Sequence, residues 1–322
     1  ILLRRLKVII MSKKYLYGPV PSRRLGRSLG VDIVPFKICT YDCVYCQLGH
    51  TTGKTVKRKS FCDVSAVLNE LKEFLKQKIE VDYITFSGSG EPTLNSSIGE
   101  MISAVKLMTD IPVVVLTNGS LLWNKEVRDE LKEADIVIPS MDAVSRDVFE
   151  RINRPHKSLD ISGVLEGLIE FSGYFKGRIF LEIMLVKGIN DDESEIRKMK
   201  EIIQRLKIER IQLNTVVRPP CEEFSKPLGE KEIENVREKL EGIFPVETIA
   251  HFTSEAEAVY DIDIESEVIN LLKRRPCKLK EMSEVLGVHQ NELIKYITEL
   301  QKENPELFKL VQFGISTDGY RY

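Results

Sequence analysis

Three cysteines, Cys39, Cys43 and Cys46, stand at i, i+4 and i+7 in the run CTYDCVYC. In a loop, that spacing lets three thiolates reach three corners of one iron–sulfur cluster and leaves the fourth iron without a protein ligand. An open iron can chelate a small molecule that carries both an amine and a carboxylate. A structural zinc site is the alternative, because His50 follows Cys46 by four residues and completes a Cys, Cys, Cys, His set. The surroundings weigh against zinc. Zinc fingers are small self-contained modules, whereas this loop opens a long α/β region. Tyr45, wedged between two of the cysteines, offers a flat face to an aromatic ring, or else is a core aromatic. Cys62, Cys221 and Cys277 are scattered; they could hold a second cluster but read more simply as buried free thiols.

The elements that must position these residues alternate. Leu29–Pro35 reads as a strand running into the cysteine loop. Asp63–Lys78 has helical spacing with Asp63 at a capping position. Strands at Tyr83–Phe86, Pro112–Leu116, Asp135–Pro139, Arg178–Val186 and Arg210–Thr215 alternate with helices at Ser96–Met108, Lys125–Glu133, Leu159–Phe175 and Asp191–Leu206. Near-continuous apolar strands separated by helices predict a parallel sheet covered by helices. A further helix is expected at Glu230–Glu241 and a further strand at Val246–Phe252. The polar and glycine residues follow strand C-terminal ends, where barrels and open α/β sheets build their sites. They are Ser87, Gly88, Ser89, Gly90 and Glu91 after the second strand, Thr117 and Asn118 after the third, Ser140 and Asp142 after the fourth, and Asn214 at the end of the sixth. Glu182 and Met184 share one face of the fifth strand.

From Ile262 the character changes. Ile264–Arg274, Leu279–Leu286 and Asn291–Lys302 read as short helices, and Leu307–Tyr322 as a hairpin, which together predict a winged helix over residues 262–322. Its third helix carries Glu292, Glu299 and Glu303 against Lys295 and Lys302, too little positive charge for strong DNA binding. The division expected is a basic arm at 1–28, a partial barrel at 29–255 and this tail.

The 322 residues carry 47 basic and 49 acidic side chains, for a formal net charge of −2. The charge is segregated. Residues 1–60 hold 13 Lys or Arg and two acids, Asp32 and Asp42, so that stretch is +11. A basic end beside the cysteines could attract an anion such as RNA, or be a solvated tail. Arg23, Arg24, Arg27, Arg151, Arg154 and His156 could contribute to such a surface. The opening ILLRRLKVII is too short to span a bilayer and is followed by no small-residue cleavage site. No membrane contact is expected, and the chain is placed in the cytoplasm, where thiols stay reduced.

CxxxCxxC with an aromatic residue before the third cysteine resembles the signature of the radical S-adenosylmethionine (SAM) superfamily. The likeness continues through YGPVPSRRLGRSLGVDIVPFKICTYDCVYCQLG, TFSGSGEPTL, TNGSLL, SMDA, ERINRPH and QLNTVVRPP. It extends to a subgroup related to the enzymes that form the tricyclic wyosine base of tRNA. The resemblance implies a partial (β/α)6 TIM-like barrel. It implies a [4Fe–4S] cluster on Cys39, Cys43 and Cys46, with SAM on the open iron. It implies reductive cleavage of SAM to methionine and a 5′-deoxyadenosyl radical, with the electron supplied by a flavodoxin- or ferredoxin-like donor. Ser87–Pro92 would receive the SAM amino group, with glycines letting carbonyls approach the ammonium and Glu91 adding charge. Ser140 and Asp142, with Thr117 and Asn118, would meet the ribose. The substrate implied is a tRNA base; a peptide, a protein or a small metabolite is the alternative, as is a non-enzymatic metal-binding winged-helix regulator. Archaeal wyosine-forming enzymes carry additional N-terminal cysteines, and no Cys precedes Cys39 here, so a different substrate is compatible with the pattern. Oligomeric state is not legible.

Overall fold

A computed structural model describes residues 15–22, 24–217, 220–249, 268–269, 279–286, 288 and 290–303. The chain divides into two compact units, residues 18–258 and residues 1–17 with 259–322.

In chain order the first unit's elements are β1 (Leu16–Ser22, which begins in the other unit), β2 (Gly26–Val31), β3 (Ile38–Cys39), β4 (Gly53–Lys54), α1 (Val64–Leu75), β5 (Tyr83–Phe86), α2 (Ile98–Met108), β6 (Val113–Thr117), α3 (Lys125–Glu130), β7 (Ile136–Pro139), α4 (Arg146–Ile152), α5 (Ile161–Tyr174), β8 (Arg178–Leu185), α6 (Glu193–Ile203), β9 (Arg210–Thr215), α7 (Glu230–Leu240) and β10 (Val246–Thr248). Eight strands form one sheet in the order β1-β2-β5-β6-β7-β8-β9-β10. Every neighbouring pair from β2 to β10 is parallel. This is an α/β fold on a central parallel sheet, consistent with a partial barrel.

The helices begin where short acceptors can satisfy free N–H groups. Asp63 accepts from Ser65 N at α1, Asn124 from Glu126 N at α3, Asp160 from Ser162 N at α5, and Asp192 from Ser194 N and Glu195 N at α6. The strands are buried on both faces: Val113, Val114 and Val115 of β6 and Ile136, Val137 and Ile138 of β7 are all core residues. Because side chains alternate along a strand, one set runs Ile136, Ile138, Ser140 and another Phe180, Glu182, Met184. The N-terminal part of this face is an apolar plug of Leu25, Val114, Ile136, Ile138 and Phe180. Its C-terminal part is polar, and the site is built there.

Two differences from expectation bear on the site. The first parallel strand is Gly26–Val31 rather than Leu29–Pro35, so β1 lies within, and β2 begins within, the stretch 1–28 read from its charge as a basic arm. The chain leaves the sheet at Asp32, whose buried carboxylate accepts from Ser89 N and Ser89 Oγ instead of letting the strand continue. Helix α4 went unread because seven residues give fewer than two full turns of periodicity, although Val148, Phe149 and Ile152 are buried.

In the other unit, Leu279–Leu286 and Gln290–Glu303 are helical, matching two of the expected helices. The rest of the expected winged helix, including nearly all of Ile264–Arg274, the Leu307–Tyr322 hairpin and Cys277, lies outside the described residues, as does Arg23. Among the described residues no helix is long and apolar enough to cross a membrane.

Candidate functional site

The cysteine loop lies across the C-terminal ends of β5, β6 and β7, held by backbone bonds. Cys39 ends β3, which pairs with β4. The Asp42 N–H donates to Asn153 O at 2.9 Å, and the Val44 N–H to Ile152 O at 3.0 Å. Each sulfur has a polar neighbour: Asn118 Nδ2 lies 3.5 Å from Cys39 Sγ, Asn153 Nδ2 3.4 Å from Cys43 Sγ, and Lys37 Nζ 3.1 Å from Cys46 Sγ.

The donor set fits an iron–sulfur cluster better than one zinc ion. Zinc–sulfur bonds of about 2.3 Å hold thiolates within roughly 4 Å of one another. Among the described residues, the set of three ligand atoms within 4.8 Å of one another is Asp42, His50 and Cys221, not the three clustered cysteines. His50, expected in the zinc alternative to close over those cysteines, instead places Nδ1 3.5 Å from Asp42 Oδ2 and Nε2 3.9 Å from Glu222 Oε1. Burial pushes the Cys39 thiol up to about 12, with the Glu91 charge adding to the rise. Burial, then the Asp142 charge, holds the Cys43 thiol well above its ordinary value. These thiols therefore ionise when bound cationic iron offsets the penalty.

The SGSGEP turn performs two jobs. Gly88 sits at φ +146°, and a Cβ there would fall 2.3 Å from the Asp32 carboxylate; a Cβ on Gly90 would fall 2.0 Å from Ile38 O. Both glycines thus let the turn press against the segment that enters the cysteine loop. Ser89 O accepts from Lys37 N at 2.7 Å, and Ser87 N donates to Val31 O at 3.2 Å. The buried Glu91 accepts from Thr93 N (3.1 Å), Thr93 Oγ1 (2.6 Å), Thr117 Oγ1 (2.6 Å) and Asn118 N (2.8 Å). The carboxylate expected to add charge for a ligand therefore stitches the loop after β5 to the loop after β6. Burial raises its pKa, and these hydrogen bonds pull it back.

Asp142 is equally engaged. It accepts from the Tyr45 hydroxyl, from Asn153 Nδ2 at 2.7 Å and from Met184 N at 3.0 Å. Burial pushes its carboxyl up to about 6 against those bonds. Asp142 thereby holds the ring of Tyr45 in place between Cys43 and Cys46.

A cavity of about 270 Å³ opens at this end of the sheet, walled by Tyr45 and Cys46 on one side and Ser140, Glu182, Met184 and Asn214 on the other. Arg24, from the turn between β1 and β2, completes it. Its guanidinium pairs with Glu182, and Asn214 Nδ2 donates to the same carboxylate at 3.0 Å. The structure thus brings together the three cysteines, Tyr45, Ser140, Glu182, Met184, Asn214 and Arg24. Arg151 and Arg154 line a separate cavity with Lys187 and Phe224, and the half-buried His156 bonds Ser158. Cys62 accepts from Asn95 near the start of α1.

Sequence reasoning missed Asp32, Lys37 and Asn153. Lys37 is buried at φ +60°, in the left-handed region, and is the one Lys or Arg between Ile33 and Gly53. Asn153 lies inside ERINRPH, where the flanking arginines drew attention to charge instead.

Residues 33–199 match the Radical SAM superfamily. A UPF0026 protein of Methanocaldococcus jannaschii is 33% identical over 276 residues, covering 84% of this chain and 85% of that protein. A GTPase Obg of Brachyspira hyodysenteriae is 38% identical over 305 residues, which is 94% of this chain and 43% of that protein's length. Among solved structures, a radical SAM methyltransferase from Sphaerobacter thermophilus shares the fold at a TM-score of 0.57 and 16% identity, covering 71% of this chain and 67% of that one. The chain belongs to the radical SAM superfamily, alongside its UPF0026 relatives, and its cofactors are those of that superfamily, a [4Fe–4S] cluster and S-adenosylmethionine.

Proposed function

We propose that this enzyme cleaves S-adenosylmethionine reductively to a 5′-deoxyadenosyl radical and directs it at a base of tRNA, taking its electron from a flavodoxin- or ferredoxin-like donor. Cys39, Cys43 and Cys46 would hold the cluster, which would supply the electron for reductive cleavage of the cofactor's C–S bond to methionine and the radical. The chain's own residues do the positioning. Tyr45 stays fixed by Asp142. The turn Ser87–Gly90 presents backbone to the amino group, and Ser140 with Asn118 faces the nucleoside.

The observation that carries the substrate reading is the far wall of the cavity. Arg24 brings a guanidinium that is largely buried, and its Nε has no hydrogen-bond partner among the described residues. With Glu182 and Asn214 it forms a mixed donor and acceptor edge suited to a planar heterocycle or an anionic group. The +11 charge of residues 1–60 suits a polyanion that carries such a base. The winged-helix tail, on this reading, docks substrate or a second copy rather than DNA. The GTPase name of the Brachyspira relative finds no support in the described residues. A phosphate loop needs Gly-Lys at the start of a helix, whereas Gly53-Lys54 forms β4 and Lys54 Nζ donates to Arg154 O.

The test is anaerobic reconstitution with iron and sulfide, then measurement of reductant-dependent 5′-deoxyadenosine with tRNA, with a peptide fraction, with small metabolites and with no addition. Stimulation by tRNA supports the proposal. Stimulation by peptides or small metabolites alone moves the substrate elsewhere. No 5′-deoxyadenosine under any condition removes the radical reading itself.

A further inference from the structure

We propose that Asp42, His50 and Cys221 form a mononuclear zinc site, separate from the three-cysteine cradle beside it. One ligand atom from each residue lies within 4.8 Å of the other two. Around a tetrahedral zinc with bonds of about 2.0–2.3 Å, ligand atoms sit roughly 3.3–3.8 Å apart. The His50 side chain is exposed and the Cys221 side chain partly so, and the proposal requires both to draw in by about 1 Å when zinc binds. One carboxylate, one imidazole and one thiolate suit zinc, and the sulfur disfavours the hard cations calcium and magnesium.

Two of the ligands come from the cysteine loop and the third from the segment after β9, and the backbone at each is held by hydrogen bonds. Asp42 Oδ1 accepts from Thr51 N at 2.7 Å, which leaves Oδ2 facing His50. That is the outer-sphere bond that orients a carboxylate ligand. Thr51 Oγ1 donates to Tyr41 O at 2.7 Å, so the His50 segment is tied to the Asp42 segment. Glu222 N donates to Val44 O at 3.0 Å, which places Cys221 against the cysteine loop. Glu222 Oε1, 3.9 Å from His50 Nε2, is at hand for a fourth position, as is water, although Arg154 also pairs with that carboxylate. A zinc ion here clamps residues 220–222 onto the outer side of the loop that carries Cys43 and Cys46. The site does not depend on what the enzyme acts upon.

The experiment measures zinc and iron by mass spectrometry in the full chain after anaerobic cluster reconstitution and zinc loading. The coordination shell is read by zinc X-ray absorption. Expected are about one zinc per chain beside about four irons, and a zinc shell with one sulfur and the rest nitrogen or oxygen. Cys221→Ser removes the sulfur from that shell. Cys221→Ser, His50→Gln and Asp42→Asn each weaken zinc binding at least ~10-fold, the smaller end of what even outer-sphere partners cost, with iron content unchanged. Zinc with three sulfurs, which places it in the cluster cradle, overturns the proposal. So does the absence of zinc, or wild-type zinc affinity in both Cys221→Ser and His50→Gln. Iron retained in each variant reports that the fold and the cluster site survive, so failure here is distinguishable from failure of the radical reading.

Discussion

At the scale of single residues, the cysteine loop combines a demanding ligand set with tight backbone contact. Cys39, Cys43 and Cys46 each meet a different partner, Asn118, Asn153 and Lys37, so no one of them substitutes for another. Cys43→Ala is expected to drop reconstituted iron from about four per chain to near zero and to abolish 5′-deoxyadenosine formation; iron analysis and product chromatography check both. Gly90→Ala tests the close approach of the glycine turn. Its Cβ meets Ile38 O, a backbone atom one residue from Cys39, at 2.0 Å. The turn must shift, at a cost of about 1–3 kcal/mol, and cluster retention falls with it. Denaturant titration and iron content measure the two effects, and an unchanged midpoint would remove the packing argument.

Between elements, Glu91 and Glu209 hold strands together by different means. Glu91 lies buried between the loops after β5 and β6 and accepts four hydrogen bonds. Glu91→Gln replaces one acceptor by a donor that faces other donors, at an expected cost of about 1–3 kcal/mol and with weaker binding of S-adenosylmethionine. Binding calorimetry beside the unfolding curve separates the two. Glu209 is at the surface, where it joins β8 to β9 through Arg178 and Arg210. The hydrogen bond from Arg178, aided by Arg210, lowers its pKa from 4.5 to about 2. A carboxyl held low in the folded state adds stability above its unfolded value, and that contribution is lost as pH falls toward the folded one. Glu209→Gln is therefore expected to lower Tm at neutral pH by an amount worth no more than about 1 kcal/mol. The gap to the parent should close between pH 4.5 and about 2. A gap independent of pH over that window would show that the pair contributes nothing through charge.

At the scale of the molecule, charge is segregated while the total is close to neutral. The +11 of residues 1–60 stands against the −12 of residues 61–261. If the basic stretch meets tRNA, binding releases counterions, and affinity falls steeply with salt. Six to ten phosphate contacts correspond to a loss of ~10³–10⁵ between roughly 50 and 200 mM salt on duplex, and somewhat less on single strands. Filter binding or fluorescence anisotropy over that range checks it, and a flat profile would leave the basic stretch as a solvated face. The cavity lies at the same end of the sheet as the cysteine loop, as in parallel sheets generally, because the strand C-terminal ends present loops and helix N-termini together.

The sequence by itself determined the three-cysteine cradle, the alternation of strands and helices, and the turns in which polar residues gather. Those signals are local: a spacing of four and three, an apolar run of four or five, a glycine after a strand. It did not show that Glu91 and Asp142 spend their oxygens on the protein, that Gly88 and Gly90 make room for Asp32 and Ile38, or that His50 turns from Cys46 toward Asp42 and Cys221. Most of these contacts join residues far apart in the chain, up to 171 positions for His50 and Cys221. Only the closing of the sheet brings them within hydrogen-bond or ligand distance, and a single chain carries no periodic trace of contacts made across it.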